Sequence, residues 1–512
     1  MLARQDIDDE KLANYQDKWW RLNNLYYFID DQGKERLFKA NKAQQKLWEE
    51  RHYFNLILKA RQLGFTTFIQ IWMLDESVFV PNTQCGMIAH RLDDATKILR
   101  TKARHAYERL PAWVKAMAPI TKDNETELAF GNGSFINVGI SLRSGTYNLV
   151  HISEYGKICA KFPEKAREIQ TGALNTLAPG SMCFIESTAE GASGQFYDLC
   201  QEALAKARIG TKLSKLDFKL HFFPWMDDDK YQLPTEGVVI SATHQAMFAK
   251  LEGELGRTFK PEQRAWYVKK EETQGDDMMR EFPSEPAEAF RAATEGQYFA
   301  KHILAAEAEG RVAIFPANPE RPVYTFWDLG LGDRTCIWFV QYGENERRYL
   351  FDFYENEGYG LGHYVEILMK KAFHHKIYYA AHVAPHDADT RHPTADVDPT
   401  TWVKLAAECG LELTVMKRIA DMQIGINECR RVLPLCYFDQ ANCKEGIRAL
   451  RSYQKRWDEG RGAWSDTPYH NWASHGVKAF EGMAFFSPYT RTGRKSPGAE
   501  GPLEGRHLGG IA

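Results

Sequence analysis

The chain contains no run of about 18 apolar residues, the length that spans a bilayer, and no leader-like segment is legible before residue 20. Its nine cysteines form no Cys-x-x-Cys pair and no Cys/His spacing of a zinc site, which argues against a disulfide scaffold and a zinc module. Neither charge is in surplus. A net charge of -3 over 512 residues excludes a globally basic nucleic-acid binder and leaves local patches for any such partner. Internal repeats are absent too. These absences lead to the expectation of a soluble intracellular protein with free thiols and no membrane association.

What is present is an ordinary globular composition, 44% hydrophobic and 26% charged, at a length that exceeds one core and implies two or three domains. Between about 40 and 200, short apolar runs at 56–58, 85–89, 149–152 and 182–185 alternate with amphipathic stretches. That alternation predicts an α/β domain, a mostly parallel sheet with helices on both faces. Gly131-Asn132-Gly133 reads as a hairpin turn inserted in that sheet. From about 205 to 300 the sequence becomes charged and helical, and a second strand-rich block begins near Val323. Beyond 488 it turns basic and rich in Gly and Pro, a tail expected to be flexible.

The join of Phe54-Asn55-Leu56-Ile57-Leu58 to Lys59-Ala60-Arg61-Gln62-Leu63-Gly64-Phe65-Thr66-Thr67 carries the first chemistry. A buried strand that turns through Gly64 into a helix aims backbone N–H groups at phosphates and a hydroxyl at magnesium. Phe65 stands where a lysine is usual before the threonine, so Arg61, folded back from the front of the loop, is expected to supply the charge. Asn148-Leu149-Val150-His151-Ile152-Ser153-Glu154 is an apolar strand ending in Glu, the residue expected to orient an attacking water. Ser153 stands where an Asp often sits. A third strand ends in Glu186-Ser187-Thr188-Ala189-Glu190-Gly191, whose hydroxyls can sense a γ-phosphate. Gln44, just upstream, reads either as an adenine contact or as a surface helix residue.

The later block places acids after strands: Asp328 after 324–327, Asp352 within the next apolar block, and Asp387 and Asp389 after 380–384. Carboxylates gathered from separate strands repel one another unless a divalent cation neutralises them, so they are metal-site candidates. Asp328 and Asp387 are the preferred pair, since both follow strands at the same end. Asp352 and Asp389 read equally as turn or cap aspartates. Basic residues at Lys97, Arg100, Lys102, Arg104 and Arg109, and at Arg430, Arg431, Lys455 and Arg456, are either phosphate contacts or solvated helix faces.

In order and spacing these segments, with Arg280-Glu281-Phe282-Pro283-Ser284-Glu285-Pro286-Ala287-Glu288-Ala289-Phe290 and Tyr469-His470-Asn471-Trp472-Ala473-Ser474-His475, resemble the large subunit of a tailed-bacteriophage terminase over roughly residues 20 to 487. The resemblance implies an N-terminal arm (1–40), a P-loop ATPase core of the ASCE type (41–205), a lid or linker (206–305), an RNase H-like nuclease domain (306–487) and the tail (488–512). It implies ATP with Mg²⁺ and, in the nuclease, Mg²⁺ or Mn²⁺. Expected partners are double-stranded DNA, a portal protein, a small terminase subunit and other copies of the chain in a ring, a pentamer on the portal. The setting would be the host cytoplasm and, transiently, the procapsid portal vertex. By the same resemblance Arg61, Gln62, Gly64, Thr66 or Thr67, Ser187 and Thr188 handle nucleotide and Mg²⁺, and Glu154 is the base. Arg143 becomes a finger acting on a neighbouring subunit, unless it is a surface ion-pair residue. One departure stands out: Lys478 replaces the third metal-binding Asp of the nuclease. Either His475 or Glu481 substitutes as ligand, or one metal binds, or cutting is weak. His475 shares a helix face with Lys478 and is the better substitute beside Asp328 and Asp387. A rival reading is a helicase-type ATPase whose second domain binds DNA without cutting it.

Overall fold

The computed structural model describes residues 9–488, apart from 143–144, 193, 293–295, 331–333, 391, 395–396 and 459. The chain divides into two compact units at 295/296, and among the described residues no helix is long and apolar enough to cross a membrane.

The first unit is built on one eight-stranded sheet. In chain order its relevant elements are helices α1 (Lys18–Asn24) and α2 (Lys42–Glu50), strand β1 (Phe54–Lys59), helix α3 (Phe65–Phe79), strands β2 (Gln84–Ile88), β3 (Ile120–Asp123), β4 (Glu127–Phe130), β5 (Phe135–Gly139) and β6 (Tyr147–Ser153), helix α4 (Tyr155–Lys161), and strands β7 (Leu177–Ser187) and β8 (Phe218–Phe223). The spatial order is β8-β1-β7-β6-β2-β5-β4-β3. Six of these strands are parallel; β4 pairs antiparallel with β5 through the expected turn at Gly131-Asn132-Gly133, and β3 adds antiparallel to β4 at the edge. β1 and β6 are buried along nearly their whole length because parallel strands are covered on both faces.

Helix α3 is hydrophobic all round and buried almost throughout, the pattern of a helix packed inside the domain. Its N-terminus follows Gly64 at φ 75, a left-handed position that suits glycine. A Cβ there would also meet the Gln44 Nε2 at 2.8 Å. On its far side Asp75 accepts a bidentate pair from Arg21 of α1, at 2.9 and 2.7 Å, and the Tyr26 hydroxyl at 2.7 Å. Three partners satisfy that buried carboxylate, and the segment before residue 40 is thereby clamped to the helix that carries the loop.

The second unit holds a seven-stranded mixed sheet: β9 (Val312–Ala313), β10 (Val323–Asp328), β11 (Arg334–Tyr342), β12 (Arg348–Glu357), β13 (Tyr379–Ala384), β14 (Leu413–Val415) and β15 (Cys436–Asp439), in the order β9-β15-β12-β11-β10-β13-β14. β10, β11 and β12 form an antiparallel meander, and β13 lies parallel to β10 on its other side. The long C-terminal helix α5 (Trp472–Phe485) packs on β10 and β11. This is a mixed α/β architecture. Apolar clusters cover both faces, Trp338, Phe438 and Phe480 on one and Trp327, Phe339 and Phe351 on the other.

Candidate functional site

In the first unit the ends of β1, β7 and β6 lie side by side. Ile57 pairs with Glu186, and Glu186 with Ser153, across two parallel ladders. Side chains alternate along a strand, so Lys59, two residues past Ile57, shares the face of Glu186 and Ser153. Its Nζ lies 3.6 Å from Glu154 and 3.7 Å from Glu186, in a side chain only 7% exposed. Burial pulls the Lys59 ammonium down, and the attraction of Glu154 and Glu186 outweighs it, leaving its pKa raised.

Arg61 takes a different course. Its side chain is 60% exposed and pairs with Glu281 at 2.9 Å. Of the two cations at the front of the loop, the one that converges with Glu154 is therefore Lys59. The loop between them is gripped from several sides. Gln62 takes a left-handed φ of 60, the Tyr231 hydroxyl and Lys230 ammonium donate to the Arg61 and Gln62 carbonyls, and Asn41 donates to Leu63 O at 3.1 Å. Gln44 is buried with its amide turned to the loop: Nε2 donates to Gly64 O at 2.9 Å and Oε1 accepts from Asn41 N at 3.0 Å. Both ends of that amide make contacts within the protein, so Gln44 holds the loop.

Thr66 and Thr67 open α3, and the Thr66 hydroxyl donates to Glu186 at 2.5 Å. Glu186 is wholly buried and also faces His151 Nε2 at 3.0 Å and the Ser153 hydroxyl at 3.3 Å. Burial pushes its carboxyl up, but Lys59, His151 and Thr66 outweigh burial and hold it at about 2. Glu154, a third exposed, stands at the β6–α4 junction with a left-handed backbone, φ 56 and ψ 43. Such a conformation is uncommon for a non-glycine residue and clusters at functional sites. Ser187 accepts from the Gly156 N–H at 3.0 Å, tying the end of β7 to the helix after Glu154, and Thr188 is buried beside it. A Cβ at Gly156 would lie 2.8 Å from both Ser187 Oγ and Thr188 O, so the close approach depends on glycine.

Lys59, Glu186 and His151 thus join Thr66, Glu154 and Ser187 as one cluster. The signal for the added three was the two-residue parity of a strand end, which places every second side chain on the site's face. Arg143 lies outside the described residues.

In the second unit Asp328 ends β10, and Asp387 sits in the turn His386–Asp389 after β13, so the two acids leave neighbouring parallel strands at the same edge. His475, in the first turn of α5, lies with Nδ1 2.9 Å from Asp328 Oδ2. Burial raises the Asp328 carboxyl; the His475 contact and Lys478 lower it, and the like charge of Asp387 raises it further. Lys478 pairs with Glu481 at 2.6 Å, so Glu481 is engaged. Asp387 is exposed. Asp352 is buried and taken up by Lys371, with His375 at 3.6 Å, and Asp389 is exposed in its turn. Among the described residues no three His, Cys, Asp or Glu side chains gather as a metal site requires. Asp328 and His475 are brought together, but with Asp387 they do not form the donor set expected of a metal centre.

Several candidate DNA contacts are engaged within the chain. Arg104 pairs with Asp123, Arg109 with Glu35 and Arg431 with Glu428. That is the solvated-face reading of those residues.

No family model matches the sequence, and no curated protein matches it. Solved structures do resemble it. The large terminase of bacteriophage HK97 is 11% identical, covers 91% of this chain and 98% of its own, and has a TM-score of 0.44. The large terminase of the thermophilic bacteriophage D6E, solved with ATP-gamma-S, is 15% identical over 87% of this chain and 98% of its own, with a TM-score of 0.30. The ATPase domain of the Thermus phage P74-26 large terminase is 14% identical over 55% of this chain and 99% of its own, with a TM-score of 0.34. At these identities and scores the likeness carries no functional conclusion by itself.

Proposed function

We propose that this chain is the ATP-hydrolysing motor subunit of a phage DNA-packaging machine, and that its second unit engages and cuts the DNA. The observation that carries the reading is the convergence of Thr66, Lys59, Glu154 and Ser187 at the C-terminal edge of a parallel sheet, beside a left-handed glycine turn that opens a buried helix. Open α/β sheets bind their ligands at that edge. Backbone N–H groups at the start of α3 would meet the phosphates, and Lys59 would supply the charge that Phe65 cannot. Glu154, held out from the strand end by its left-handed backbone, would orient the water that attacks the γ-phosphate. Ser187 and Thr188 would report loss of that phosphate to α4. The donor chemistry suits a nucleotide-bound Mg²⁺, which offsets phosphate charge when present.

The finer assignments are the sequence resemblance's own: double-stranded DNA as the translocated substrate, a portal protein and a small terminase subunit as partners, a ring of copies, and work in the host cytoplasm at the procapsid. The test is DNA-stimulated ATP turnover by the full chain with Glu154→Gln beside it. We expect turnover to fall by about 10²-fold or more, the scale of a positioned base, with ADP binding kept. Equal turnover in both proteins would sink the reading.

A second reading has its own support, the Lys478 ammonium near Asp328 and the lack of a gathered donor set among the described residues. In it the second unit holds DNA without cutting it.

A further inference from the structure

A cation that travels with a nucleoside triphosphate takes a threonine or serine oxygen from the loop, and that hydroxyl must turn its proton away to offer its lone pairs. A carboxylate at the end of a neighbouring strand can receive the proton and carry the opposing charge. At the end of β6 Ser153 stands in that place, and the carboxylate that follows it, Glu154, is assigned to the attacking water.

The carboxylate next to it on the sheet is Glu186, the direct register partner of Ser153 on β7. The Thr66 proton already points to it, at 2.5 Å. The His151 ring nitrogen and the Ser153 and Thr66 hydroxyls all converge on one oxygen, Glu186 Oε1. The other oxygen, Oε2, is buried with no hydrogen-bond partner, and Lys59 stands 3.7 Å from it. A fully buried carboxylate with one oxygen unmet is costly unless a charged partner completes it. Lys59 is shared with Glu154, so two carboxylates face one ammonium and the cluster has room for further positive charge.

We infer that Glu186 supplies from β7 the cation-directed carboxylate that Ser153 lacks on β6. It fixes the Thr66 proton through Oε1 and leaves Oε2 for the coordination shell of the divalent cation bound with the nucleotide. The missing acid has moved one strand sideways in the sheet. The inference rests on the nucleotide-site reading above, and its test separates the two.

The test uses the full chain and measures ADP affinity by calorimetry, with Mg²⁺ and with chelator, and Mn²⁺ binding beside ADP by electron paramagnetic resonance. In the unaltered chain Mg²⁺ should tighten ADP. In Glu186→Gln, close in shape but without the charge, the tightening should shrink about tenfold while metal-free affinity stays within about threefold. Adding Ser153→Asp to that variant should restore the Mg²⁺ effect and the Mn²⁺ signal by returning the acid to β6. A merely structural glutamate would shift both affinities together and would gain nothing from Ser153→Asp. Should Glu186→Gln fail to fold, Glu186→Asp retracts the carboxylate by one methylene and should lose part of the Mg²⁺ effect. Full Mg²⁺ tightening in either folded variant overturns the assignment of Glu186 alone. Absence of ADP binding in the unaltered chain overturns the nucleotide site and the assignment with it.

Discussion

The proposed nucleotide site of the first unit and the acidic site of the second each break their expected pattern, yet the two differ in what surrounds the break. At the first, Phe65 displaces a lysine and Ser153 an acid, and Lys59 and Glu186 stand in the same cluster. At the second, Lys478 displaces an acid and pairs with Glu481 one turn further along its own helix. The difference follows from how each site is carried. Three parallel strands bring residues 57, 186 and 153 into register, with Lys59 two positions further along the same face, so a charge lost from one strand has neighbours on two others. A helix face offers residues at i+3 and i+4, and there the replacement found a local partner.

The largest expected effect sets Lys59 against Arg61. Lys59→Ala should lower kcat/KM for ATP by about 100-fold, as loss of a preorganised charge does, while Arg61→Ala lowers it by less than about tenfold. Steady-state kinetics of both variants check this. A larger loss in Arg61→Ala would return the phosphate charge to the exposed arginine and undo the contrast with the second unit.

Next in size is the second unit's own repair. Lys478→Asp should raise Mn²⁺-dependent nicking of supercoiled plasmid by about tenfold or more, since it replaces a cation near Asp328 with a third acid. Asp328→Ala in that background should remove the gain. An unaltered protein that already cuts at full rate would show that the lysine is no defect, and the two sites would then be equally compensated.

The smallest effect is thermal. Burial raises the Asp328 carboxyl above its ordinary value, so the folded chain holds that proton more tightly than the unfolded chain. Ionisation of Asp328 therefore costs stability as pH rises from the usual aspartate range through its raised folded pKa. Asp328→Asn should lift the melting temperature of the second unit by a few degrees at neutral pH and by less near pH 4. Calorimetric scans at both pH values measure it. An unchanged difference between them would mean that the His475 contact outweighs burial.

Much of the first site was legible in the chain. The apolar run into Gly64 and the two threonines, the strand ending in Ser153-Glu154 and the hydroxyls at 187 and 188 are local patterns, and the structure brings them to one edge. Which cation faces that edge was not legible, because it depends on strand parity. Lys59 ends the strand on the site's face, whereas Arg61 lies past it in a loop whose course is set by Tyr231, Lys230 and Glu281. These partners are 170 or more positions away in part, beyond any local reading. The loop contact of Gln44 was not legible for a related reason: its amide serves a loop 20 residues on. The first sheet followed from alternation and the inserted hairpin from Gly131-Asn132-Gly133, but the pairing of Asp352 with Lys371 needed the helix at Leu361–His375 in place.

Glu154 keeps its carboxylate on a left-handed backbone, a conformation that disfavours an L side chain by roughly 1–2 kcal/mol. A library randomised at this position and sorted only for heat resistance should therefore enrich glycine and asparagine, and the winners should have lost ATP turnover. Selection for robustness and selection for work pull this one codon in opposite directions. A deep mutational scan read twice, once for abundance and once for turnover, would show that opposition at 154.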